Sequence, residues 1–309
     1  MGTQPQVSPE VAAALNEGRA VVALESTILA HGLPPGRNRE VAARVERVVR
    51  DAGAVPATIA VLDGRPVVGL DDKQLDRVCD PAAGLVKLSR RDLGPAIGLG
   101  RDGATTVAGT AALAAAAGIG VFATGGLGGV HRGASESWDV SADLGVLAET
   151  PVLVVCSGVK SVLDIGATLE LLETNSVPVL GYRTDRFPAF YLRESDFDVP
   201  WRVDDPKQAA AAVRAHREYA PGQSGVLLAN PVPVEHEMDR ELHDRLLAEG
   251  LELLVTRKVR GKDVTPVLLE HFHTASDGVS LDTNEQLVLS NARVAAEVSV
   301  ELGQAELAR

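Results

Sequence analysis

The chain has 309 residues, of which 45% are hydrophobic, 23% charged and only 3% aromatic, and its formal net charge is −12. This is a soluble globular composition whose core must come from Val, Leu, Ile and Ala, which favours a layered α/β protein over an aromatic-rich all-β one. The negative balance argues against general affinity for nucleic acid polymers or acidic membranes and still allows a local basic pocket for a small anion.

Ser8 and Pro9 open a first helix, with Ser8 as its cap and Pro9 at the first helical position. Val21–Leu24 has the character of a buried strand and runs directly into Glu25, Ser26 and Thr27. His31–Gly36 is predicted to be a loop by its Pro and Gly content, and Asn38 to cap a helix whose apolar stripe is Val41, Val45, Val48 and Val49, ended by Gly53. Thr58–Leu62 and Pro66–Gly69 flank Asp63-Gly64, a hairpin signal. Leu85–Ser89, which contains Lys87, is a short strand candidate. Gly103–Ala117 is predicted to be a helix of small residues, followed by a strand over Ile119–Thr124.

The stretch from Ala123 to Lys160 organises the chain. Apolar runs end twice in turns rich in small and polar residues, first at Thr124–Gly129 and then at Ser157–Lys160. Strand ends of this kind are where open α/β sheets bind ligands. Beyond it, an amphipathic helix is expected to end near Asn175, followed by the strand Val177–Tyr182 and an aromatic loop, Phe187–Tyr191. Helices are expected over Pro206–Tyr219 and Glu235–Gly250, with the strand Gly225–Asn230 between them. Val264–His273 reads as helical, and Asp282–Glu285 as the cap of a last helix striped by Val294, Val298 and Leu302. With no repeat or long linker, residues 1–309 are read as a single α/β/α layered domain around a central mixed, largely parallel sheet.

Cys79 and Cys156 are the only cysteines and are read as reduced thiols. Met1–Pro9 is polar and lacks a secretion-signal core, and the longest apolar runs are far short of a membrane span, so a cytoplasmic location is expected.

Glu25 at a buried strand end is costly unless paired, as catalytic acids often are, although a cap or salt bridge would also account for it. Lys160, partly removed from water, has the character of a nucleophile; a lysine on the first turn of a helix is the plainer alternative. Asp139, Ser141 and Asp143 alternate, a pattern of hard oxygen ligands that suits Mg²⁺ or Mn²⁺ and equally suits helix capping. Gly125–Gly129 is not a dinucleotide fingerprint, but its backbone N–H groups are candidates to cradle an anion. His271 and His273 would point about 200° apart on a helix; with His236 and His243 they are read as surface or core residues, not a metal site.

Several stretches together resemble one family, the pseudouridine-5′-phosphate glycosidases, also called indigoidine synthase A-like proteins. They are Ala23–Pro34, Thr105–Thr110, Phe122–Ala134, Trp138–Leu144, Ser157–Asp164, Tyr182–Tyr191, Asn230–Pro233 and Asn284–Ala292, so that the likeness spans about residues 8 to 303. It implies a lyase-class enzyme that reversibly cleaves pseudouridine 5′-phosphate to uracil and ribose 5-phosphate through a lysine–sugar Schiff base. By resemblance Lys160 is the nucleophile, Glu25 the proton donor and Asp139 the ligand of one Mn²⁺ per subunit. Lys87, Val107, Ser141, Ala142 and Asp143 match substrate-contacting positions, and Thr124, His131 and Asn284 join them. The resemblance also implies a homotrimer. A carbon–carbon bond suits this chemistry, because the two-carboxylate glycosidase scheme has no leaving oxygen to protonate. An aldolase that uses the same imine chemistry, and a sugar-phosphate sensor that does not turn over, are the competing readings.

Overall fold

The computed structural model describes residues 4–220, 222–259 and 264–307. In chain order its strands are β1 (Gln6–Val7), β2 (Val21–Leu24), β3 (Val55–Leu62), β4 (Arg65–Val68), β5 (Val86–Leu88), β6 (Gly103–Thr105), β7 (Val121–Ala123), β8 (Val130–His131), β9 (Leu153–Cys156), β10 (Leu163–Asp164), β11 (Val179–Tyr182), β12 (Trp201–Val203) and β13 (Val226–Ala229). Its helices are α1 (Pro9–Asn16), α2 (Arg37–Asp51), α3 (Asp72–Cys79), α4 (Arg90–Gly98), α5 (Val107–Ala116), α6 (Ala134–Ser137), α7 (Ala142–Glu149), α8 (Ile165–Thr174), α9 (Pro206–Tyr219), α10 (Arg240–Arg257), α11 (Val264–Ala275) and α12 (Val279–Leu307).

Strands β3, β2, β7, β9, β13, β11 and β12 lie side by side in that order, and every pairing among them is parallel. Antiparallel β4 and β6 both join β3, which makes the sheet mixed and largely parallel, as expected. The residues of β2, β9 and β13 are buried throughout, because helices cover both faces. Apolar side chains of α2, α9 and α12 pack on one face and those of α1, α5, α7 and α8 on the other. Among the described residues no helix is long and apolar enough to cross a membrane.

The chain leaves β2 through α2 and returns to β3 on one side; it leaves β7 through α7 and reaches β9 on the other. Those crossovers pass on opposite faces of the sheet. The order therefore reverses between β2 and β7, and a crevice forms at the carboxyl ends of strands where this happens. Glu25 and Thr124 are the first residues past these two strands. Helix α12 runs beneath this point. Its Glu285, 1% exposed, accepts from Arg37 Nη2 at 2.9 Å and from Arg44 Nη1 at 3.0 Å, which fastens α12 to α2.

Several local expectations are corrected. Asn38 does not cap α2. It lies inside the helix, buried, and its side-chain amide donates to the Leu29 and Cys79 carbonyls, while Gly36 in a left-handed conformation precedes the helix. The predicted loop at His31 begins as a π-helical turn, Ile28–Gly32, which the Asn38 amide helps hold. Gly103–Thr105 forms a strand before the helix, because Thr106 caps α5 through Gly109. Helix α10 starts at Arg240 under an Asp239 cap, later than Glu235. Helix α12 starts at Val279, so Asp282–Glu285 lie within it. Both cysteines are buried free thiols, as read from the sequence.

Candidate active site

Glu25 is positioned from both sides. Ser26, its fully buried neighbour, donates to the Ile59 carbonyl at 2.6 Å and accepts the Thr105 amide at 2.9 Å, which anchors the end of β2 between β3 and β6. The buried Thr124 hydroxyl donates to Glu25 Oε1. Burial pushes the Glu25 carboxyl above its ordinary range. The positive charge of Lys160 and the Thr124 hydrogen bond pull it back, and the Asp143 carboxylate adds to the upward push. The group is thereby suited to hold a proton.

Lys160 lies beyond β9 in a non-helical segment, five residues before α8, so the first-turn alternative is excluded. Its backbone N–H donates to the Leu127 carbonyl, and Leu127 in turn donates to Gly158. The Ser161 hydroxyl donates to Ala189 at 3.1 Å. The lysine backbone is thus clamped between the loop after β7 and the aromatic loop.

Glu25 and Lys160 line the same cavity, which has two lobes that also share Thr27 and Lys87. One lobe, of about 420 Å³, is polar: Ser89, Arg91, Thr106, His131, Asp139 and Ser141 face it. The starts of two helices also reach it, at Val107 of α5 and at Ala142 of α7, which Ser141 caps. Such starts present N–H groups to anions. The other lobe is mostly apolar, with Ile28, Phe190, Pro266 and Leu269 on its walls. Buried Asn284 of α12 lines it too, and its Oδ1 has no hydrogen-bond partner.

All eleven residues singled out from the sequence line this cavity except Thr124, which meets it through Glu25. Their roles divide. Asp143 is buried, and its two oxygens accept the Ala108 and Gly128 amides, both at 2.9 Å. It therefore ties the starts of α5 and α7 to the glycine loop. Part of that loop is already committed: the N–H groups of Leu127 and Gly128 are spent on Gly158 and Asp143. The glycines also serve close packing; a Cβ on Gly128 would stand 2.3 Å from Ser141 Oγ.

The alternating set Asp139, Ser141 and Asp143 does not converge as a chelate. Among the described residues no three His, Cys, Asp or Glu side chains are grouped to hold a metal ion. Asp139 is partly exposed in the polar lobe, with His131 Nδ1 3.8 Å from its carboxylate. Burial holds His131 below the usual imidazole range, against the pull of Asp139. One accessible carboxylate fits a hard cation that keeps most of its water, and does not fit a metal enclosed by protein ligands.

Sequence reading missed Asn291. It is fully buried on α12, donates to the Thr124 carbonyl at 2.8 Å and to Ser157 Oγ at 3.1 Å, and accepts from Asn230 at 2.9 Å. It joins the ends of β7, β9 and β13 beneath the site. The available signal was an amide within an apolar helical stretch. Phe190 was also missed as a cavity residue. His236, His243, His271 and His273 do not line either lobe.

A family model described as indigoidine synthase A like protein matches residues 10–301. A protein of Salinispora tropica named pseudouridine-5′-phosphate glycosidase is 57% identical over 94% of this chain and 90% of its own. One of the same name from Herpetosiphon aurantiacus is 53% identical over 96% and 98%. Among solved structures, the prealnumycin C-glycosynthase AlnA in complex with ribulose 5-phosphate superposes with a TM-score of 0.92 at 42% identity, covering 100% of both chains.

The environment of Glu25 sets a stability test. Above its ordinary value of 4.5, and up to its raised one, the folded protein holds a proton that the unfolded chain has released. Stability conferred by that proton is complete below the unfolded value and is lost as pH rises through the folded one. Glu25→Gln cannot ionise and escapes the loss. Its melting temperature should exceed that of the wild type at about pH 8 and approach it near about pH 4; a variant less stable at the higher pH would contradict this account of the carboxyl group.

Proposed function

The chain belongs to the indigoidine synthase A-like family, and on that premise we propose that it is a pseudouridine-5′-phosphate glycosidase, cleaving the C–C glycosidic bond with water to give uracil and ribose 5-phosphate. The observation that carries this reading is the two-lobed cavity with Glu25 and Lys160 at its neck. The substrate has a planar, uncharged base on one side of the scissile bond and an anionic sugar phosphate on the other, and the lobes match that division. Lys87, Arg91 and the starts of α5 and α7 favour the phosphate in the polar lobe. Val107 and Ala142 would contribute there through their backbone, as the first residues of their helices.

The amine of Lys160, unprotonated, attacks C1′. As the N–C1′ bond forms, the bond from C1′ to the ring oxygen breaks and that oxygen takes the Glu25 proton. The new secondary ammonium returns a proton to the Glu25 carboxylate. The nitrogen lone pair then forms C1′=N, the C1′–C5 electron pair passes to the base, and C5 takes the proton from Glu25. Water hydrolyses the imine to ribose 5-phosphate and restores both residues. A carboxyl group whose hold on its proton is raised by burial suits each of its turns as donor.

Asp139 would hold a Mn²⁺ ion, one per subunit, with His131 beside it. When bound, the cation supplies positive charge next to the sugar phosphate. A homotrimeric assembly in the cytoplasm completes the proposal; sequence likeness to the family supports it.

Purified protein given pseudouridine 5′-phosphate and Mn²⁺ should release uracil and ribose 5-phosphate in equal amounts, followed by chromatography. Lys160→Ala should still bind the substrate and release no uracil, and Glu25→Gln should turn over roughly 10²–10⁴-fold more slowly. Absence of uracil from the wild type, or aldol products in its place, would overturn the reading. For the metal, exhaustive chelation should abolish turnover and Mn²⁺ should restore it, whereas Asp139→Ala should lose the response. Full activity after chelation would remove the ion from the account.

A further inference from the structure

The aromatic loop has no role in the mechanism above, yet it carries a conformational oddity. Phe190 has φ +63°, in the left-handed region that a bulky aromatic rarely occupies. Backbone of this kind persists where the surroundings over-determine it and tends to mark functional sites. Here its neighbours hold it in place. Phe190 N–H donates to the Ser157 carbonyl at 3.0 Å, and Ala189 donates to Leu192 at 3.0 Å to close a tight turn. Gly158, two residues past Cys156 and two before Lys160, backs this turn so closely that a Cβ would lie 2.0 Å from the Pro188 carbonyl oxygen. The ring is 3% exposed and stands edge-on to Tyr191, with centroids 4.7 Å apart.

The strained backbone delivers the ring to one place, the apolar lobe beside Lys160 and Asn284. Across from it Gly126 has no side chain, and a Cβ there would meet two ring carbons of Phe190 at 2.6 Å. The ring therefore fills the space that any other residue at position 126 would occupy. Asn284, 2% exposed, lines the same lobe with an amide oxygen that lacks a partner. An aromatic wall beside an unsatisfied polar atom fits a planar ring with a hydrogen-bonding edge.

We infer that Phe190, set by its left-handed backbone and by the absence of a side chain at Gly126, is the wall that selects the nucleobase. This rests on the glycosidase reading and adds to it a residue that determines specificity for the leaving group. Phe190 takes no part in the covalent chemistry at C1′, so its loss should separate base recognition from imine formation.

The test compares two reactions of the intact protein. One is turnover of pseudouridine 5′-phosphate. The other is the rate at which borohydride fixes ribose 5-phosphate to the protein, a reaction that involves no base. Phe190→Leu should lower kcat/KM for pseudouridine 5′-phosphate by roughly 10–100-fold, the range that a reshaped apolar contact commands. It should leave the trapping rate within about twofold of the wild type, on the same argument. Gly126→Ala, which pushes on the ring from the other side, should show the same split. If both reactions fall together in both variants, Phe190 supports the loop of Lys160 and the inference is wrong. It is equally wrong if neither reaction changes. A wild type that traps ribose 5-phosphate but releases no uracil would instead sink the glycosidase reading, and this inference with it.

Discussion

The site depends on keeping a carboxyl group and an amine at the ends of parallel strands where little water reaches. Glu25 follows β2 and Lys160 lies beyond β9, with β7 between those strands. Burial raises the carboxyl group's affinity for its proton, and the lysine's charge opposes this. The balance is set by position, so the groups around it must be rigid. The Thr124 hydroxyl fixes one carboxylate oxygen, and Ser26 fixes the backbone beside it. Neither anchor would form if the strands were not buried on both faces and held in register.

Beneath the strands, α12 serves as a strut. Its Asn291 amide reaches three strand ends at once, and its Glu285 holds two arginines of α2. Buried polar groups of this kind are expensive when half satisfied and rigid when fully satisfied. Asp143 plays the matching part above, where its carboxylate joins the start of α5 to the glycine loop. Between these two tie points the loops that carry Thr124 and Lys160 have little room to shift. This is the preorganisation that a covalent mechanism with repeated proton transfers needs.

Much of this was legible in the sequence, and the boundary has physical causes. Buried strands such as Val21–Leu24 announce themselves as short apolar runs, and the polar residues that follow them mark the cavity. The alternation of strand and helix was enough for the layered fold. Short elements escaped: β12 (Trp201–Val203) is a largely exposed edge strand without a periodic pattern, and α3 and α4 were not anticipated. Capping residues were misassigned where a tertiary bond outbid the local one. Asn38 looks like a cap, and its amide is taken by two distant carbonyls. Asp139 and Asp143 look like fellow ligands, and backbone amides claim the second. The aromatic loop was legible but the place of the Phe190 ring in the cavity was not, since it follows from a left-handed backbone set by contacts with Ser157 and Gly126.

The central claim is that Lys160 forms a covalent bond with the sugar. Borohydride added during turnover of pseudouridine 5′-phosphate, followed by peptide mapping, tests it most directly. The account predicts a single sugar-phosphate adduct on Lys160 and none on the wild-type site once Lys160→Arg is made, because a guanidinium stays protonated and cannot attack. An adduct mapped to Lys87 or any other lysine, or rapid uracil release from Lys160→Arg, would contradict it.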